Sequence, residues 1–99
     1  MVKEIKENEF KEVIKEGNVV VDCFASWCGP CRMLSPILDS VSEEIKDYKF
    51  YKLNVDEAEL ISEEYGIMTI PTLLVFKDGE LVETSVGLKS KDEIINMLK

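Results

Sequence analysis

Seven consecutive residues, Val19-Val20-Val21-Asp22-Cys23-Phe24-Ala25, constrain this chain more than any others. The run is almost continuously apolar and rich in β-branched side chains, the pattern of a central strand covered on both faces. Two cysteines follow at once in Trp27-Cys28-Gly29-Pro30-Cys31. Leu34, Ile37, Leu38, Val41 and Ile45 then recur at spacings of three and four, which predicts an amphipathic helix starting near Cys28. Residues i and i+3 on a helix share one face. Cys28 and Cys31 therefore fall within the roughly 4.4–6.8 Å Cα separation of a disulfide, and can be two thiols or one bridge with little backbone movement.

The rest of the chain alternates strand and helix signals, which predicts an α/β fold with a largely parallel sheet. Residues 2–6 read as a weak strand. Asn8 is placed to cap a helix reaching about residue 16, with Phe10, Val13 and Ile14 as its apolar stripe and Gly17 as its stop. Pro36 falls inside the second helix and predicts a kink. Phe50 to Val55 is a strand, and Asp56 with Glu59 opens a short helix that Gly66 ends. Thr72 to Phe76 is another strand, and Asp78-Gly79 before Leu81 signals a tight hairpin with antiparallel strands. Ser90 and Glu93 form a capping box for a final helix carrying Ile94, Ile95 and Leu98. Ninety-nine residues suit one domain, 1–99.

Twelve basic residues against twenty acidic ones leave a net charge of −8. Such a surface repels phosphate backbones and anionic lipid, which argues against nucleic-acid or membrane binding. No apolar stretch reaches spanning length, and the start of the chain lacks the long apolar segment of a signal peptide. The expected location is the reducing cytoplasm, where a close cysteine pair is catalytic or metal-binding more often than structural. The chain has three cysteines and no histidine. A four-ligand zinc or iron–sulfur site therefore cannot be assembled from Cys and His within one chain.

At a helix start, unpaired amides and the positive dipole end favour a negative charge on Cys28. The thiolate is the attacking species, so Cys28 is the candidate nucleophile. Cys31, one turn further on, is the candidate resolving thiol. Pro30 suits an early helical position, Gly29 leaves room beside the sulfur, and Trp27 offers a flat apolar rim. A structural cross-link, or a pair of inert thiols, is the competing interpretation. Asp22 interrupts the apolar strand. Desolvation there raises a carboxyl pKa, making Asp22 a candidate proton acceptor for Cys31; a carboxylate that merely satisfies a backbone or lysine partner remains the alternative. The bond before Pro71 can be cis, although trans is the common form.

Taken in order, Val21-Asp22, Phe24 to Cys31, Pro36, Lys52-Leu53-Asn54-Val55-Asp56, Tyr65-Gly66-Ile67, Ile70-Pro71-Thr72 and Val86-Gly87 resemble the thioredoxin family along nearly the whole chain. The resemblance implies a five-stranded mixed sheet flanked by four helices. It implies Cys28 as nucleophile, Cys31 as resolving thiol, and Asp22 as the buried proton-transfer group with Lys52 nearby. It places a cis peptide before Pro71, facing the cysteines. Trp27, Gly29, Pro30, Ile70, Pro71 and Gly87 would line the groove that grips substrate backbone. The implied activity is protein-disulfide reduction by a monomer without cofactor. The implied partners are disulfide-containing proteins and a thioredoxin reductase, NADPH- or ferredoxin-linked. A non-catalytic binding module on the same fold, and an oxidase or isomerase, are the alternatives.

Four positions depart from the family pattern. Phe24 stands where many relatives carry a second tryptophan. Cys23 stands where an aromatic is common, and strand alternation points it to the sheet face opposite Asp22; it reads as a small buried hydrophobe, the alternative being a regulatory thiol. Met68 and Thr69 replace the basic and small residues some relatives carry before the cis-proline, a change that bears on which reductase docks.

Overall fold

The computed structural model describes residues 1–99. Five strands, β1 (Val2–Ile5), β2 (Asn18–Phe24), β3 (Lys49–Asn54), β4 (Thr72–Lys77) and β5 (Glu80–Val86), form one sheet in the order β1-β3-β2-β4-β5. Four helices, α1 (Glu7–Val13), α2 (Gly29–Glu44), α3 (Glu59–Glu64) and α4 (Lys91–Leu98), flank it. β2 lies at the centre, as its apolar run requires. Val19, Val21 and Cys23 pack with Phe10, Ile14 and Ile61 on the α1/α3 face. Val20 packs with Leu34, Leu38, Val41, Ile94 and Leu98 on the α2/α4 face. Burying each such side chain stabilises the fold by about 1.5–3 kcal/mol.

The sheet is mixed rather than largely parallel. β1, β3 and β2 run parallel, whereas β4 is antiparallel to both β2 and β5. The 55–71 connection returns the chain to the end of the sheet it left: Leu53 of β3 and Thr72 of β4 both register with Cys23 of β2, so β4 starts where β3 finished and runs back. Asp78 (φ 49) and Gly79 (φ 87) then turn the chain with two successive left-handed residues, as the Asp-Gly signal predicts.

Local caps differ from the expected ones in two places. Asn8 does not cap α1. Lys6 is the extended residue before the helix, and the Glu9 carboxylate accepts its N–H at 2.8 Å; α1 also stops at Val13, before Gly17. Asp56 does not cap α3. Asn54 Oδ1 accepts the Asp56 N–H at 3.0 Å, at the head of a short 3-10 turn, Val55–Glu57. The open amide of Ile61 in α3 is taken instead by Glu7 of α1, at 2.9 Å, a long-range cap that no local pattern reveals. The Ser90–Glu93 box forms as expected, with bonds of 2.9 and 3.1 Å; such a cap contributes about 1 kcal/mol. α2 continues through Pro36 as one element. No helix is long and apolar enough to cross a membrane.

Candidate active site

β2 delivers the site. After Phe24 the chain makes a tight turn in which Cys28 N–H donates to the Ala25 carbonyl at 3.2 Å, and α2 begins at Gly29. Cys28 occupies the N-cap in extended conformation, and its Sγ accepts the Cys31 N–H at 3.2 Å. Pro30 sits within the first helical positions, where its missing N–H has no partner to lose. The first turn of α2 contains no acidic residue, so no helix carboxylate there competes with a Cys28 thiolate for the positive end of the dipole. Cys28 and Cys31 are joined as a disulfide with their Cα atoms 5.3 Å apart.

Both cysteines are covered in this bridged form, at 5% and 4% exposure, packed with Ala25 and against Phe24, Val55 and Ile70. They differ in what they face. Cys28 Sγ lies 3.9 Å from the Ile70 carbonyl oxygen, beside the cis Ile70–Pro71 bond. The Gly87 N–H donates to the Pro71 carbonyl at 2.8 Å, which ties the end of β5 to this edge. Trp27 is 68% exposed and Met68 95%. Cys31 instead lines a cleft of about 230 Å³ with Asp22, Phe24, Ala25, Ser26, Arg32, Ser35 and Lys52. Cys28 thus lies against the Ile70 carbonyl, beside Pro71, while Cys31 shares a cleft with Asp22 and Lys52.

Asp22 is 2% exposed and its Oδ1 has no hydrogen-bond partner. Burial pushes its carboxyl up to about 7, against the opposing pull of the Lys52 ammonium. Lys52 is paired with Asp22 in the β2–β3 register. Its Nζ sits 5.4 Å from the centre of the Phe24 ring. Arg32 also lines the cleft, while donating to the Ser26 carbonyl at 2.9 Å. Cys23 lies on the other sheet face, fully buried, its thiol pushed up to about 12 by burial and then by Asp22.

Comparison with known proteins agrees with this geometry. The thioredoxin family model matches residues 1–99. The chain belongs to the thioredoxin family. It is 44% identical to a thioredoxin of Chlamydia caviae over 98 residues, covering 99% of this chain and 96% of that one. It is 47% identical to a Listeria monocytogenes thioredoxin over 100 residues, covering 97% of each. Among solved structures, a mutant thioredoxin from Halobacterium salinarum superposes with a TM-score of 0.89 at 34% identity, covering 97% of this chain and 86% of that one. As a thioredoxin-family protein, this chain is a protein-disulfide oxidoreductase working by dithiol–disulfide exchange. Disulfide-containing proteins are its substrates, and a reductase is its redox partner.

Asp56 is a site residue that sequence reasoning does not find. Its carboxylate accepts the Trp27 indole N–H at 2.8 Å, and Asn54 orients the turn that carries it. No spacing rule links positions 27 and 56; only the fold brings them together. Asp56→Ala should free the indole, removing a bond worth about 1 kcal/mol. Because Trp27 is the only tryptophan, time-resolved fluorescence anisotropy reads its motion directly. Faster local depolarisation is the expected result, and an unchanged decay would contradict it.

Proposed function

We propose that Cys28 is the nucleophile, Cys31 the resolving thiol and Asp22 the proton acceptor in a general protein-disulfide reductase, with Lys52 tuning Asp22. The observation that carries this reading is the division of surroundings: Cys28 lies against the Ile70 carbonyl beside the cis-proline, while Cys31 shares a cleft with a buried, unpartnered carboxylate. In the cycle, the Cys28 thiolate attacks one sulfur of a partner disulfide. The partner's other sulfur leaves as a thiolate, and a mixed disulfide remains. Cys31 then gives its proton to Asp22 and its sulfur attacks Cys28 Sγ. The second partner sulfur leaves, the 28–31 bridge closes, and two electrons have passed to the partner. A separate reductase returns them.

Trp27, Gly29, Pro30, Ile70, Pro71 and Gly87 form the substrate groove in this reading. Residues 1–99 act as one domain and as a monomer. The cytoplasm is the working compartment, since the single bridge joins the exchangeable pair and Cys23 stays outside any bridge. The electron donor is an NADPH-linked or a ferredoxin-linked reductase. Two measurements test the proposal together. Insulin-disulfide reduction run with each reductase should be sustained by one of them. The potential of the pair should be more negative than about −200 mV, since oxidising and isomerising relatives lie at about −120 to −180 mV. A more positive value would reject a reductase.

A further inference from the structure

The cleft beneath Cys31 contains an arrangement that the residue roles alone do not explain. Asp22, Phe24 and Lys52 all reach the α2/α4 side of the sheet: Asp22 and Phe24 by alternation along β2, and Lys52 from the register position opposite Asp22. Lys52 nevertheless makes neither a salt bridge nor a hydrogen bond to the carboxylate, whose Oδ1 is left without a partner. Its ammonium lies over the Phe24 ring, 5.4 Å from the centroid. A cation over an aromatic face at this distance is attracted by the ring quadrupole, by about 0.5–1 kcal/mol or more.

We propose that Phe24 is a positioning residue: its ring holds the Lys52 ammonium at the rim of the Asp22–Cys31 cleft, within electrostatic reach of the buried carboxylate but not closed onto it. The inference rests on the reading of Asp22 as proton acceptor. Either extreme of Lys52 placement would spoil that role. A direct ion pair would keep the carboxylate ionised and make it a poor base for a thiol proton. A lysine released to solvent would leave burial unopposed, and the group would stay protonated. A charge held at intermediate range keeps the proton exchangeable near neutral pH, where base catalysis is most effective.

The other groups facing Asp22 do not supply this control. Arg32 of α2 lines the cleft, but its guanidinium is held at the Ser26 carbonyl and Lys52 is the cation whose charge pulls on Asp22. Cys31, also on α2, is the thiol whose proton moves. On β4 the register partner is Leu73, which is apolar. Cys23 is on the opposite face.

The test follows the Asp22 carboxyl carbon by NMR through a pH titration of the reduced protein. Phe24→Leu should raise its midpoint by roughly half a unit or more, toward the value in Lys52→Met. Phe24→Trp, which restores an aromatic face, should return it to the parent value. In the Lys52→Met background, Phe24→Leu should add almost nothing. A midpoint unmoved by Phe24→Leu overturns the proposal. So does an equal shift with and without Lys52, because that marks a simple burial effect of the ring. Failure of the underlying reading looks different: Asp22→Asn would leave the rate of mixed-disulfide resolution unchanged across pH, while the carboxyl titration of the parent would still report on Phe24.

Discussion

Cys28→Ser should lower the rate of insulin-disulfide reduction by roughly a thousandfold or more, because it removes the only attacking sulfur of the cycle's first step. A serine hydroxyl at the same N-cap can still accept an amide N–H, so the fold loses little. What it cannot do is present a thiolate at neutral pH. Cys31→Ser should also end turnover, but at a different stage. Cys28 still attacks the partner disulfide, the mixed disulfide still forms, and nothing displaces it. Cys31→Ser protein should therefore carry covalently bound partner on a non-reducing gel, and Cys28→Ser protein should not. Equal trapping by the two variants would contradict the assignment of roles. Unimpaired function in the Cys28/Cys31 double serine variant would mean that the fold acts by binding alone.

Asp22→Asn should stabilise the protein at pH 8 by a few kcal/mol and change it little at pH 4. The sign follows from linkage. The folded-state carboxyl lies at about 7 against an ordinary value of 3.8, so the native state binds this proton more tightly than the unfolded chain does. Its contribution is fully present below about pH 4. It is lost as pH rises between roughly 4 and 7, and stays lost above that. Three units correspond to about 4 kcal/mol. The asparagine amide replaces a neutral carboxyl that is itself without a hydrogen-bond partner at Oδ1, so the exchange adds little at either pH. Urea unfolding at the two pH values reads the difference. An equal effect of the substitution at pH 4 and pH 8 would show that Asp22 does not carry this proton.

The parts of the fold readable in advance are those set by local chemistry. The apolar run of β2, the three-and-four spacing of α2, the Asp78-Gly79 turn and the Ser90–Glu93 box each act within a few residues, and each appears where expected. The direction of β4 is not readable from periodicity, because it depends on which end of the sheet the 55–71 connection returns to. The family resemblance supplies the mixed sheet that the alternation of elements misjudges. The caps at Lys6 and Asn54 escape local reading because a neighbouring Asn or Asp looks like the better capping residue, while a glutamate three positions on and an asparagine two positions back hold the amides instead. At the site, the Cys pair and Asp22 announce themselves by residue type. The Trp27–Asp56 bond and the Lys52–Phe24 contact join residues 29 and 28 positions apart, and only the assembled sheet reveals them.

The placement of Cys23 has a consequence for fidelity. A chain that spends its life exchanging sulfur partners is exposed to internal scrambling, in which a third sulfur captures one member of the pair. Here the sheet itself stands between them: Cys23 is sealed among Phe10, Ile14 and Phe76 on one side, and Cys31 opens on the other. No side-chain rotation brings the two together, and a mispaired bridge requires the sheet to come apart. Each turn of the cycle therefore closes on the same two atoms.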